Sequence, residues 1–231
     1  MLTPRRAVAF IILALAVAAC GAPAAVTVDP TVVPTTAAPT TQAPAATVAA
    51  GALTWTVGDK SKATVRVREQ LVGVNLPSDA VLTATGAKGS FSLNADGSFS
   101  PDSKITFELT TLSSDSQGRD SFVKQDTLNT RQFPTATFVP AKTSGLTLPL
   151  PASGDLSFTL SGALTIHGKT KDVTFTVKGV RTGGDLTVTA TADPALKFGD
   201  FGMSAPSVPF RVVSVTDEIR LAIDIVAKGP G

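Results

Sequence analysis

Side chains able to do chemistry are few in this 231-residue chain: one cysteine, Cys20, one histidine, His167, and no tyrosine. A Ser–His nucleophile pair needs an orienting partner and a set of oxyanion donors, and no such constellation is marked. His167 follows the alternating run that ends at Ile166 and adjoins Gly168, so it reads as a solvated turn residue. One histidine with no cysteine nearby offers no ligand set for structural zinc or haem. Neither catalysis nor a cofactor is therefore expected. The charged pair Arg119-Asp120 remains, together with phenylalanines in the strand-like runs: Phe91, Phe99, Phe107, Phe138, Phe158 and Phe175. Phe122 stands outside those runs. Such a set suits binding of an apolar molecule, with Arg119 as a head-group contact. It equally suits a core filled by its own side chains, with Asp120 capping a helix and Arg119 lying over its end.

Cys20 has a different chemistry in prospect. Arg5 and Arg6 precede an apolar run, Ala7 to Ala19, which is too short to span a bilayer and has the length of a signal-peptide core. It ends in Val17-Ala18-Ala19-Cys20-Gly21, which resembles the bacterial lipobox. That resemblance implies diacylglyceryl transfer to the Cys20 thiol and cleavage before it, giving an extracytoplasmic protein anchored to the cell membrane. Residues 1–20 are thus expected to be a lipoprotein signal peptide. Residues 21–52 are nearly all Ala, Pro, Thr and Val and read as a linker with polyproline II character. Residues 53–231 form the folded domain. That domain holds 18 basic and 17 acidic residues with no basic cluster, so nucleic acid is not an expected partner.

The domain must position these side chains with strands. Ala63–Arg68, Ile105–Thr110, Leu156–Leu160, Val173–Val177, Leu186–Thr189 and Ile219–Ile225 alternate apolar and polar residues. That period of two gives one buried and one wet face, the antiparallel pattern. Turn signals fall at Asn94–Gly97, Ser153–Asp155 and Thr182–Asp185. The exception is 118–130, read as a short helix burying Phe122, Val123 and Leu128, with Asp120 or Ser121 as its cap. About eight strands and one helix fit a closed antiparallel barrel, since closure removes exposed edges. A two-sheet sandwich shares the pattern.

Four segments in order resemble the YceI-like family. Gly162-Ala163-Leu164-Thr165-Ile166-His167-Gly168-Lys169-Thr170-Lys171-Asp172-Val173 is similar to its central hairpin. Arg119-Asp120 with Phe133-Pro134-Thr135-Ala136-Thr137-Phe138, Phe198-Gly199-Asp200-Phe201-Gly202-Met203, and Val215-Thr216-Asp217-Glu218-Ile219-Arg220-Leu221 are similar to its other motifs. Phe122–Leu128 departs from the family pattern in having no histidine and no aromatic pair. The resemblance implies a lipocalin-like barrel of about eight strands whose apolar tunnel, lined by Phe91, Phe99, Phe107, Phe122, Phe138, Phe158 and Phe175, encloses an isoprenoid quinone or polyprenyl lipid. It further implies a membrane cytochrome or another quinone-using protein as partner. The alternative is a surface interaction or adhesion module with a filled barrel and no ligand.

Overall fold

The computed structural model describes residues 51–230; the expected signal peptide, Cys20 and nearly all of the expected linker lie outside the described residues. Eleven strands form one antiparallel sheet: β1 (Leu53–Val57), β2 (Lys62–Leu71), β3 (Ser78–Ala84), β4 (Lys88–Leu93), β5 (Lys104–Glu108), β6 (Thr135–Ser144), β7 (Ser153–Ile166), β8 (Lys169–Thr182), β9 (Asp185–Ala192), β10 (Val212–Val215) and β11 (Arg220–Lys228). The order β1-β4-β5-β6-β7-β8-β9-β11 closes on itself through β11–β1, giving the expected eight-stranded barrel rather than a sandwich.

The three remaining strands are continuations of others across kinks. β11 pairs with β1 near its end, at Thr56↔Lys228, and with β2 nearer its start, at Arg220↔Arg66. Between them, residues 58–61 leave the ladder opposite Val226. The Gly58 N–H still donates to the Val226 carbonyl at 2.7 Å, and Ser61 makes good the rest: its hydroxyl accepts from the Val226 N–H at 2.9 Å and donates to the same carbonyl at 3.2 Å. A buried peptide left unpaired there would be costly, so one hydroxyl lets the strand bend without an orphaned group. β3 and β4 are offset in the same way, with Gly86 at φ +70° between them. β10 extends β11 along β2.

Period two holds inside the ring. Ala63, Val65, Val67, Glu69 and Leu71 of β2 line the interior, as do Leu221, Ile223, Ile225 and Ala227 of β11. Trp55, Phe175 and Phe201 are fully buried, each stabilising the fold by about 2–3 kcal/mol through burial. Gly162 is needed for close approach: a Cβ there would stand 2.6 Å from the Phe138 ring and 2.5 Å from the Val139 carbonyl oxygen.

Two local expectations are corrected. Ser153–Asp155 is not a turn but the start of β7, which pairs with β8 through fourteen registered positions from Ser153↔Thr182 to Ile166↔Lys169. The turn residues there occupy an exposed strand end. The helix α1 is shorter than 118–130 and earlier: it spans Gln117–Phe122, and its cap is Ser116, whose hydroxyl accepts from the Arg119 N–H at 3.4 Å. Asp120 is instead engaged by the Ser114 hydroxyl at 2.6 Å. Val123–Thr127 then widens to a π-turn, the Leu128 N–H donating to the Val123 carbonyl at 2.8 Å.

Candidate functional site

The upper half of the barrel encloses a cavity of about 710 Å³, within the range of small-molecule sites. β2 supplies Val65, Val67 and Leu71, while β5 and β6 supply Phe107 and Phe138. Leu164 and Ile166 of β7 and Leu221 and Ile223 of β11 complete the wall. α1 and the π-turn lie over the mouth with Phe122, Val123 and Leu128 facing in. Met203 and Phe210 contribute from the long segment before β10.

One buried charged pair interrupts this apolar lining, and Arg211 adds an exposed cation at its edge. Glu69 continues the inward series Ala63, Val65, Val67, so its carboxylate points into the barrel with its side chain 8 % exposed. Arg119 crosses from α1 and places Nη2 2.6 Å from Glu69 Oε1; its Nη1 donates to Asp115 and, at 3.4 Å, to the Ser114 hydroxyl. Burial works against the Arg119 charge, yet the hydrogen bond and charge of Glu69, joined by Asp115, outweigh it and raise the guanidinium pKa above its ordinary value. The pair both fastens α1 to the wall and puts fixed polar atoms beside the cavity.

The seven phenylalanines are divided between two places. Phe107, Phe122 and Phe138 line the cavity. Phe91, Phe99, Phe158 and Phe175 surround a second void of only about 80 Å³ in the lower half, also bordered by Phe107 and Phe138. Alternation fixes the face on which a side chain points but not its height along the barrel, which is why one series serves both. In the lower half Trp55 stacks on Phe91 at 5.7 Å, Phe99 meets Phe91 edge-on at 6.3 Å, and Phe138 meets Phe175 edge-on at 5.2 Å. Phe138 and Phe107 are thus the floor between the chambers. The lower end is closed by Arg181, buried over the Trp55 ring at 5.3 Å. Its guanidinium donates to the carbonyls of Leu150, Pro151, Gly183 and Pro230.

His167 does sit at the β7–β8 turn, with φ +51°, but is half-buried rather than fully solvated. Its ring meets Phe133 at 4.8 Å, and Nδ1 lies 3.3 Å from the accepting Phe201 carbonyl oxygen. Asp200 beside it accepts from the Lys197 N–H at 2.8 Å and pairs with Lys171 Nζ at 2.5 Å. These contacts tie the segment after β9 to the hairpin, and none faces the cavity. Among the described residues no cluster of His, Cys, Asp or Glu is arranged to hold a metal ion.

Sequence reasoning passed over Glu69, Phe210 and Arg181. Glu69 was detectable as an acid on the apolar phase of an alternating strand. Phe210 lies in a stretch with no period, and Arg181 gives no sequence sign of its burial.

A family model described as the YceI-like domain matches residues 55–227. The structure of Burkholderia cenocepacia BcnA is 21 % identical and covers 74 % of this chain and 99 % of that one, with a TM-score of 0.54. A polyisoprenoid binding domain from Saccharophagus degradans, implicated in plant cell wall breakdown, is 11 % identical; it covers 77 % and 99 %, with a TM-score of 0.56. No curated protein matches the sequence.

Proposed function

The chain belongs to the YceI-like family, and from that premise we propose that its barrel binds and carries an isoprenoid, either a quinone or a polyprenyl lipid, or a similar apolar lipid, in the upper cavity. The observation that carries this reading is the cavity itself: about 710 Å³, walled by aliphatic and aromatic side chains and open at one end. A barrel filled by its own side chains would leave no such chamber, which weighs against the interaction-module alternative. The binding of a polyisoprenoid by the Saccharophagus domain, whose fold is shared, lends further support.

The mechanism is burial. Each CH₂ removed from water contributes about 0.8 kcal/mol, offset by the cost of ordering the chain. The apolar tail occupies the cavity down to the Phe107–Phe138 floor. Glu69 and Arg119 meet the polar head, since a guanidinium donates to quinone or phosphate oxygens and carboxylate–guanidinium pairs fix orientation. No step calls for bond making, so the role is that of a carrier rather than an enzyme. Lipidation at Cys20 would hold this carrier outside the cytoplasm beside the membrane that supplies its ligand, and would bring it within reach of a membrane cytochrome or another quinone-using partner.

Mass spectrometry of the purified protein, native and after organic extraction, tests the proposal. A stoichiometric isoprenoid is expected. An empty protein that also fails to take up added quinones and polyprenyl lipids would refute it.

A further inference from the structure

The exposed apolar side chains of the barrel are gathered at the cavity mouth. Of eight large hydrophobic residues strongly exposed among the described residues, five lie in two short segments: Val72, Val74 and Leu76 between β2 and β3, and Phe210 and Val213 at the start of β10. The segments are neighbours. The Val72 N–H donates to the Arg211 carbonyl at 3.0 Å, and Leu71 pairs with Val212. Phe210 is 96 % exposed, Leu76 75 % and Val213 65 %. Phe210 also has φ +64°, a left-handed conformation uncommon for a bulky residue. Val72, Val74 and Phe210 line the cavity as well, so one apolar surface runs from the outer rim into the interior.

We infer that this rim docks on a lipid bilayer, with Phe210 and Leu76 entering the interface and Arg211 meeting anionic headgroups. Two observations favour a bilayer over a protein. The patch borders the opening and runs on into it through Val72, Val74 and Phe210, so a bilayer seated there continues the apolar path into the cavity. Charge agrees: in the segments 72–77 and 208–213 the sole ionisable side chain is Arg211, which is exposed and makes no ion pair among the described residues. Apolar side chains with a flanking cation are the composition of an interfacial anchor. The docking rests on the rim and not on the identity of any cargo.

The test places a reporter on the full chain by Phe210→Trp, with Val180→Trp on the barrel wall as the control; Val180 is exposed and lies far from the rim in β8. Trp55, buried in the lower half, gives both variants the same background. Cargo-free vesicles of phosphatidylcholine and phosphatidylglycerol carry bromine on their acyl chains. Quenching at position 210 and none at 180 is the expected result. Replacing Phe210 by Ser should weaken that binding roughly tenfold or more, read by flotation against the same N-terminal segment. Arg211→Gln should weaken it about fivefold, and only on anionic vesicles. No quenching at 210, or equal quenching at both sites, overturns the inference. A Leu76→Ser variant, altered at an exposed rim residue outside the cavity lining, that floats more weakly yet still takes isoprenoid from detergent solution would separate docking from carriage.

Discussion

Replacing Phe138 by alanine should change the length of chain the barrel accepts. Phe138 is buried, borders both chambers and rests on Gly162 of β7. Without its ring the cavity of about 710 Å³ opens into the void of about 80 Å³ below, plus the space the ring vacates. The fold should lose about 3–5 kcal/mol, the usual cost of truncating a buried phenylalanine, and Tm should fall by roughly 6–20 °C for a domain of this size. The ligand gains. A further five-carbon unit buried in the merged chamber contributes up to about 4 kcal/mol before ordering costs. Against a series of prenyl chains of rising length, wild-type affinity should climb and then level off when the tail meets the floor. In Phe138→Ala the plateau should move to chains at least one unit longer. Trp55 lines the lower void and, with no tyrosine present, is the dominant fluorophore. A chain brominated at its far end should quench it in the variant and not in the wild type. A folded variant with an unmoved plateau and an unquenched Trp55 would refute the two-chamber account and the floor assigned to Phe138.

Breaking the charged pair at the mouth should cost more than removing it. Arg119→Met leaves the Glu69 carboxylate beside the cavity without its cation, and a loss of about 3–5 kcal/mol is expected; Arg119→Met with Glu69→Leu should recover most of it in urea melts, whereas additive losses would argue that the two do not act together. Asp200 gives a pH prediction. The Lys171 hydrogen bond, then the Lys197 N–H and the two lysine charges, outweigh burial and lower its pKa. The unfolded chain, with an Asp pKa of about 3.9, therefore takes up the proton first as pH falls. The stability it contributes is full above about pH 4 and is lost as pH drops through the lower folded value. The Tm gap between wild type and Asp200→Asn should narrow on going from pH 7 to about pH 3, and a gap that stays constant would show that the pair contributes nothing.

The sheet was readable because its side chains obey one period. Four of the six alternating runs fall wholly within a strand; Ile219–Ile225 starts one residue ahead of β11, and Ile105–Thr110 outruns β5 into a 3-10 turn at Leu109–Thr111, while the four family-like segments land on the β7–β8 hairpin, α1 with β6, the turn after β9, and β10–β11. What escaped is what period two does not encode. The kink at residues 58–61 depends on Ser61 answering Val226, 165 positions away. The helix cap was misplaced because Ser114, Ser116, Asp120 and Ser121 all compete within eight residues; the competition is settled by Asp120 accepting from Ser114 and by Arg119 being drawn to Glu69. The alternation alone did not reveal the cavity, which was expected only through the family resemblance, since an inward phenylalanine looks the same in sequence whether it fills a core, as Phe175 does, or walls a chamber, as Phe107 does.

β1 begins and β11 ends at the closed pole, paired at Thr56↔Lys228, with Pro230 held there by Arg181. The mouth opens at the opposite pole. The chain thus enters and leaves the barrel at the pole farthest from the opening, across a wall of fourteen-residue strands, roughly 35 Å once tilted. Anything fastened to either end of the domain therefore sits behind the cup, and attachment and filling do not compete for one face.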